Sequence, residues 1–413
     1  MPLGLYISIP FCRTKCTYCN FASDVFGRAV FQKYVDRVCS DMDNAQTQAL
    51  RMNASFDPVI DSVYLGGGTP TVLDIPQLER IFVTIRQNFQ LQADAEITVE
   101  CAPGTVTPGV IDVLQRSGVT RVSLGVQSFV DMETASVGRL HKRTNVLDDL
   151  ACLRAAGVSN INIDLIAGLP HQTATSWKFS LDKVIATAVP HVSVYMLEVD
   201  QDSRLGRELI AGGTKYHAHF VPEEDLIADL YETACEQLGT AGIAQYEISN
   251  FACPGRESKH NLKYWTRQQY LGFGVDAHSM LLSSNFKDGM DAVRLSTPYS
   301  LEQYVAGAPL KTSPIDRPTA LEETFFLGLR LNLGVDLQTV AAAFGNRALA
   351  EFSTTIADLV EAGLLEHHGE FIRLTARGRL LSNEVFERFI SSPVQGARSD
   401  VSSAADFPFT LED

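Results

Sequence analysis

The sequence contains no long apolar run. Its most hydrophobic stretches, Ile161–Leu169 and Val192–Leu197, break well short of the ~18–20 residues that a membrane-spanning helix requires, so an integral membrane protein is not expected. The first residues, Met1-Pro2-Leu3-Gly4, lack the basic segment of a secretory signal. Cysteine is sparse: eight in 413 residues is too few for a disulfide scaffold. Basic charge is in deficit, 34 Lys and Arg against 49 Asp and Glu, for a net charge of −15. No grouping of Lys and Arg exceeds two or three residues, and nucleic acid is therefore not an expected partner. With 45% hydrophobic and 20% charged residues, 29 Gly and 17 Pro, the composition is that of a globular protein and excludes collagen, coiled coil and wholesale disorder. At this length one hydrophobic core rarely suffices, so two or three domains are expected.

What the first half does contain is a regular alternation. Short β-branched runs at Leu5–Ile9, Ser62–Leu65, Glu96–Val99, Arg121–Val126, Asn160–Ile166 and His191–Leu197 read as strands. Helical patterns separate them. The clearest places Leu78, Ile81, Phe82, Ile85 and Phe89 on one face behind Asp74 and Pro76, which suit a helix start. The helical stretches Val110–Leu114 and Val146–Leu153 run out at Ser117-Gly118 and Gly157, as carboxyl-terminal stop signals would. Successive strand–helix units imply parallel strands joined by right-handed crossovers. Such a sheet is either open and doubly wound or a full or partial β/α barrel, and periodicity does not choose between them. From about Pro222 the alternation fades. A helix carrying Leu226, Leu230 and Leu238 leads to Tyr246–Phe251 and the polar, aromatic stretch His260–Tyr270. Residues 300–318, with Pro309, Pro314 and Pro318, read as a linker. Beyond it, Ala320–Leu333, Leu337–Phe344 and Leu349–Ala362 are predicted helices. A hairpin is predicted across Gly369, and a last helix over Leu380–Ile390. Residues 391–413, rich in Ser, Ala and Asp, read as a disordered tail.

Chemistry concentrates just past the first strand. Three of the eight cysteines, Cys12, Cys16 and Cys19, fall in a C-x3-C-x2-C spacing, where β/α folds place their sites, beyond the carboxyl ends of the strands. This clustering suggests a reducing compartment, the cytoplasm, and one metal or redox site. Three thiolates can hold three irons of a [4Fe–4S] cluster and leave the fourth open. A structural zinc would want four closed ligands, and no second Cys or His pair at zinc-finger spacing follows. The turn Leu65-Gly66-Gly67-Gly68-Thr69-Pro70 follows the second strand. Its glycines allow close backbone approach to a ligand, although a Gly-rich turn can equally be only a turn.

The cysteine spacing resembles the signature of radical S-adenosylmethionine (SAM) enzymes. The surrounding Tyr6-Ile7-Ser8-Ile9-Pro10-Phe11-Cys12 is similar to the subgroup of oxygen-independent coproporphyrinogen dehydrogenases and HemW-type haem chaperones. The likeness extends from Tyr6 to about Ile390. It implies a partial (β/α)6 TIM-like barrel over residues 1–240, a connecting region over 241–310 and a C-terminal helical, winged-helix-like domain over 311–390. It implies a [4Fe–4S] cluster on Cys12, Cys16 and Cys19, whose open iron chelates SAM, which a cluster electron can cleave to a 5′-deoxyadenosyl radical. By the same resemblance Gly67, Gly68 and Thr69 form the loop for the SAM amino group. Glu100, Gln127, Arg139 and Asp164 match SAM-contacting positions, and Tyr6 lines the same pocket. Single polar residues at strand ends are often only structural; four of them in the family's order favour the pocket.

Two features separate the subgroups. The dehydrogenases carry a further cysteine two positions after the third ligand, where this sequence has Phe21. The stretch His260-Asn261-Leu262-Lys263-Tyr264-Trp265 resembles the His-Asn-x-x-Tyr-Trp motif of the chaperones. His260 could ligate haem iron, with Tyr264 and Trp265 as flat apolar faces; equally, the aromatic rings could be core and His260 a structural hydrogen-bonding residue. The resemblance favours a chaperone that carries haem as cargo to acceptor haemoproteins, the membrane being one place to meet them. The alternatives are oxidative decarboxylation of coproporphyrinogen III and radical SAM chemistry on another substrate. One departure is Ser8, where the family usually has His. His217, His219, His367 and His368 read as solvated surface. Cys39, Cys101, Cys152, Cys235 and Cys253 read as small hydrophobes. The acidic Glu361, Glu366 and Glu370 around the wing argue against DNA as its partner.

Overall fold

A computed structural model describes residues 2–283 and 289–390; the predicted tail lies outside them. The fold is mixed α/β around one twelve-stranded sheet. Its strands are β1 (Leu3–Ile9), β2 (Val59–Gly67), β3 (Gln90–Cys101), β4 (Arg121–Gln127), β5 (Asn160–Ala167), β6 (His191–Met196), β7 (Ala244–Gln245), β8 (Asn250–Ala252), β9 (Tyr270–Phe273), β10 (His278–Leu282), β11 (Met290–Ser296) and β12 (Lys311–Asp316). Their spatial order is β12-β11-β10-β9-β1-β2-β3-β4-β5-β6-β8-β7. Neighbours from β9 through β1 to β6 pair in parallel, while β7, β8, β10, β11 and β12 are added antiparallel. The edges β12 and β7 do not pair with each other, so the six predicted strands, all present, form a partial (β/α)6 barrel.

The strands alternate apolar and polar residues, and this sets the two faces of the sheet. Leu3, Leu5, Ile7 and Ile9 of β1, Ile161, Ile163 and Leu165 of β5, and Val192 and Val194 of β6 are buried in one large core with the helices outside. Between them stand Tyr6, Ser8, Asn162, Asp164, His191 and Ser193, which turn inward. A sheet covered by helices on both faces would show near-continuous apolar strands; this polar alternation belongs to a barrel with a polar lumen. The helix Ile75–Asn88 illustrates the local rules. Asp74 and Gln77 form a capping box, Pro76 occupies the first turn, and Leu78, Ile81, Phe82 and Ile85 are buried.

The linker expected over 300–318 is not what forms. Leu301–Val305 is a helix with Leu301 and Tyr304 buried, and the Tyr304 hydroxyl donates to Asp41 Oδ2 at 2.6 Å. Pro314 lies in β12, an edge strand, and Pro318 sits in the first turn of the helix Arg317–Gly328. A missing backbone N–H costs nothing at either place, so these prolines punctuate ordered structure. Residues 241–310 likewise contribute β7 to β11 to the main sheet.

A second core, including Leu321, Phe325, Phe326, Val340, Leu359, Ile372, Leu374 and Phe386, gathers the C-terminal helices and a small sheet. That sheet is β13 (Val335–Asp336), β14 (Leu365–His368) and β15 (Phe371–Leu374), in the order β13-β15-β14. A buried ionic junction joins this unit to the main sheet. Glu323, fully buried, receives Arg267 Nε at 2.7 Å and Arg294 Nη2 at 2.9 Å. Among the described residues no helix is long and apolar enough to cross a membrane.

Candidate cofactor site at the mouth of the barrel

The cysteine loop leaves β1 at the carboxyl end of the parallel strands and is pinned from several sides. Cys12 N–H donates to the Asp24 carbonyl at 3.0 Å, Thr17 N–H to Val137 at 3.1 Å, and Leu205 N–H to Thr17 at 2.8 Å. Lys15 Nζ donates to the carbonyls of Phe21 and Ser23, both at 2.6 Å. Asn20 bonds Asp200. Cys12, Cys16 and Cys19 are free thiols, partly exposed. Burial pushes the Cys12 and Cys19 thiols above their ordinary range, and Lys15 pulls Cys19 back. Deprotonation at Cys12 and Cys19 thus awaits a positive partner, which iron supplies. The described residues contain no group of three or more His, Cys, Asp or Glu gathered around a single ion, and a four-iron cluster, with its thiolates on separate corners, does not require one. The donor set fits a cluster.

The glycine loop is held directly against this segment. A Cβ added at Gly68 would fall 2.7 Å from the Ile9 carbonyl oxygen, 2.8 Å from that of Phe11 and 3.0 Å from Cys12 Sγ. Gly67 has φ +97°, and Gly66 abuts the Glu100 carboxyl. The amides of this loop are already committed: Gly67 N–H to Glu100 Oε2 at 3.1 Å, Gly68 N–H to Ile9 and Thr69 N–H to Phe11. Much of the glycine requirement is thus close packing on β1. These N–H groups are therefore not open to a ligand.

Glu100, next to the last residue of β3, faces the lumen. It accepts the Tyr64 hydroxyl at 2.7 Å as well as Gly67 N–H. Burial, with a smaller contribution from Asp164, pushes its carboxyl up to about 7. Asp164 accepts Asn162 Nδ2 at 2.6 Å and Ser123 Oγ at 3.1 Å, and burial raises it too. Arg121, 2% exposed, pulls both back together with Glu96. Three acids facing this one cation make a lumen that favours a positively charged ligand.

Gln127 is buried with φ +68° at a register slip between β4 and β5, a backbone state uncommon outside glycine. Its Nε2 and Arg139 Nη2 both lie beside Gly125, 3.2 and 3.4 Å from where a Cβ would stand. Arg139 also donates to the Tyr18 hydroxyl at 3.0 Å, between Cys16 and Cys19, while its buried Nε has no partner among the described residues. Tyr6 stands deeper, its hydroxyl close to Gly67 and its ring 6.1 Å from that of Tyr64.

Ten of the residues singled out from sequence therefore meet at one mouth, with Tyr6 below them. His260 does not join them. It lies on the helix Lys259–Trp265, against Gly4 and Ser62 near the amino ends of β1 and β2. It is 1% exposed, with Nδ1 3.1 Å from Ser62 Oγ and Nε2 2.9 Å from Tyr264 OH. Burial holds it neutral, near 3. Neither nitrogen is available to iron in this arrangement, and Tyr264 and Trp265 are core; the alternative structural reading accounts for the motif. Sequence reasoning missed Tyr18, Tyr64, Arg121 and Ser123. The polar members of the alternating strands were the available signal for the last three.

A partial barrel with this cysteine loop and this lumen defines a radical SAM protein. Residues 6–184 match the model of the Radical SAM superfamily and residues 315–381 that of the HemN C-terminal domain. Relatives described as heme chaperone HemW include those of Lactococcus lactis subsp. lactis, 33% identical over 94% of this chain and 97% of the relative, and Bacillus subtilis, 33% over 93% and 98%. The solved structure of coproporphyrinogen III oxidase (HemN) from Escherichia coli, described as a radical SAM enzyme, superposes with a TM-score of 0.78 at 25% identity, covering 94% of this chain and 90% of that one. The chain belongs to the HemW family of radical SAM proteins.

Proposed function

We propose that this chain is a haem chaperone, working in the cytoplasm, that binds haem and passes it to acceptor haemoproteins while carrying a [4Fe–4S] cluster and SAM. The observation that carries the reading is its likeness along nearly the whole chain to proteins described as haem chaperones. Phe21, 62% exposed at the rim of the cysteine loop, stands where the dehydrogenase pattern has a cysteine, which is in keeping with it.

In this reading Cys12, Cys16 and Cys19 hold the cluster, which, when bound, supplies an open iron and an electron. Gly67, Gly68 and Thr69 bring the β2 loop against Cys12. Glu100 and Asp164 offer negative charge to the ammonium and sulfonium of SAM, and Arg139 with Gln127 brackets the ligand from the β4 side. Tyr6 closes the floor.

The close superposition on coproporphyrinogen III oxidase keeps one competing activity in view, and a single preparation separates the two. Anaerobically reconstituted protein of measured iron and sulfide content is loaded with haem and mixed with an apo-haemoprotein. A second portion receives coproporphyrinogen III, SAM and a reductant. The chaperone reading expects the acceptor's haem spectrum to develop and no protoporphyrinogen to form. Decarboxylated product without haem transfer would replace it with the dehydrogenase.

A further inference from the structure

The nine histidines are sorted by the fold according to their ring nitrogens. His260 and His191 have both nitrogens bonded inside the barrel. His141 is buried and bonds the Val126 carbonyl, and His278 is 9% exposed beside Asp276. His367 and His368 are exposed on β14 of the small sheet. The remaining three, His171, His217 and His219, gather at the carboxyl end of the barrel. His171 comes four residues after β5, and the others lie on the turn Lys215–Phe220.

This cluster is built on a fixed base. Ala218 is buried in a small apolar cluster with Leu169 and Leu205, against which Tyr18 of the cysteine loop packs. His171 N–H donates to the Phe220 carbonyl at 2.9 Å. His171 Nε2 lies 3.0 Å from His217 Nδ1, and the Phe220 ring sits 4.0 Å from the rings of both His171 and His219. Phe220 is 46% exposed and Tyr216 38% exposed. Ile210, at the end of the preceding helix, is 64% exposed.

A metal-ligating histidine characteristically donates its second ring N–H to a fixed acceptor, which orients the ring and raises its basicity. With Nδ1–H given to His171 Nε2, His217 keeps Nε2 as a lone pair on an exposed residue, beside aromatic and aliphatic surface of the kind that meets a porphyrin face. We propose that haem is held at this surface, with His217 Nε2 as axial ligand and His171 as the positioning residue. The inference rests on the haem-carrying reading above and gives the cargo a place that the buried His260 does not. His171 Nε2 and His217 Nδ1, 3.0 Å apart, cannot be the two axial ligands of one iron, which would stand about 4 Å apart, twice a metal–imidazole bond of about 2 Å. One protein ligand on an exposed rim suits a cargo that has to leave.

The test is haem titration of the cluster-loaded full chain, comparing wild type, His217→Ala, His171→Phe and His171→Gln, with His367→Gln/His368→Gln as a surface control. Wild type and control should bind one haem with a histidine-ligated Soret spectrum. His217→Ala should bind at least tenfold more weakly or lose that spectrum, and added imidazole should restore it. His171→Phe should lower the iron–histidine stretching frequency of the ferrous complex, a readout that packing alone does not move, and His171→Gln should recover it. Unchanged affinity and spectrum in His217→Ala would overturn the assignment and leave the chaperone reading standing. No haem binding by wild type would overturn both.

Discussion

Replacing Glu100 by glutamine should stabilise the ligand-free protein at alkaline pH while weakening its hold on a cationic ligand. The Glu100 carboxyl titrates at about 7 instead of 4.5, chiefly because burial penalises its charged form. For an acid raised by folding, the native state binds the extra proton between those two values. Stability is therefore fully present below about 4.5, falls as pH rises to about 7, and is level above it. The size of that loss is about 3 kcal/mol. Glutamine removes it but turns an amide group toward one of the two donors, Tyr64 O–H or Gly67 N–H, that point at the carboxylate, which costs about 1 kcal/mol. The variant should thus be about 2 kcal/mol more stable than wild type at pH 8 and no more stable at pH 5. Urea unfolding of ligand-free protein at the two pH values reads this directly. A variant at pH 8 equal to or weaker than wild type would refute the claim that Glu100 holds a charge awaiting a cation. With saturating SAM the order should invert, because the wild-type carboxylate then has its partner.

Gln127→Gly should relieve the left-handed backbone at φ +68°, adding about 1 kcal/mol of stability in thermal or urea melts, while SAM binding measured by calorimetry falls. Gly68→Ala drives a methyl group into the Ile9 and Phe11 carbonyls and toward Cys12. Iron and sulfide content after reconstitution should drop, whereas Gly27→Ala, with nothing within 4 Å, should load normally. Glu323→Ala removes the buried carboxylate that Arg267 and Arg294 share, although Arg267 keeps its ion pair with Asp291 at 2.8 Å; breaking a buried pair of this kind costs up to about 3–5 kcal/mol. Limited proteolysis should then release the C-terminal unit, and retention of the wild-type digestion pattern would count against the junction as its anchor.

The six parallel strands and the helices between them were legible because each carries its own local signal. The helix after β2 has its capping box at Asp74 and Gln77 and its apolar stripe at Leu78, Ile81, Phe82 and Ile85. β7 to β12 carried weaker signals, being short or added at the sheet's margins. β9 spans only Tyr270–Phe273 and belongs to the sheet because β1 lies beside it. The prolines of 300–318 misled for a related reason: whether Pro314 ends structure or sits harmlessly on an edge depends on which strand lies next to it. For the site, the cysteines, the glycine loop and Glu100 were readable as a motif. Arg121, Tyr64 and Ser123 were not, since nothing in a single strand says which neighbour its inward residue will face.

By itself the amino-acid order determined the alternation of strands and helices and the cysteine loop, because periodicity, turn chemistry and ligand spacing act over a few residues; the partial barrel and the residues around the loop were implied by the resemblance to a family. Only the tertiary structure decided that His260 is buried with both nitrogens bonded, and that His171 meets His217 across 46 residues of chain. It also decided that Glu100 shares its lumen with Asp164 and Arg121. A nitrogen's availability and a carboxyl's proton affinity depend on what surrounds them in space, and those surroundings come from strands far apart in sequence.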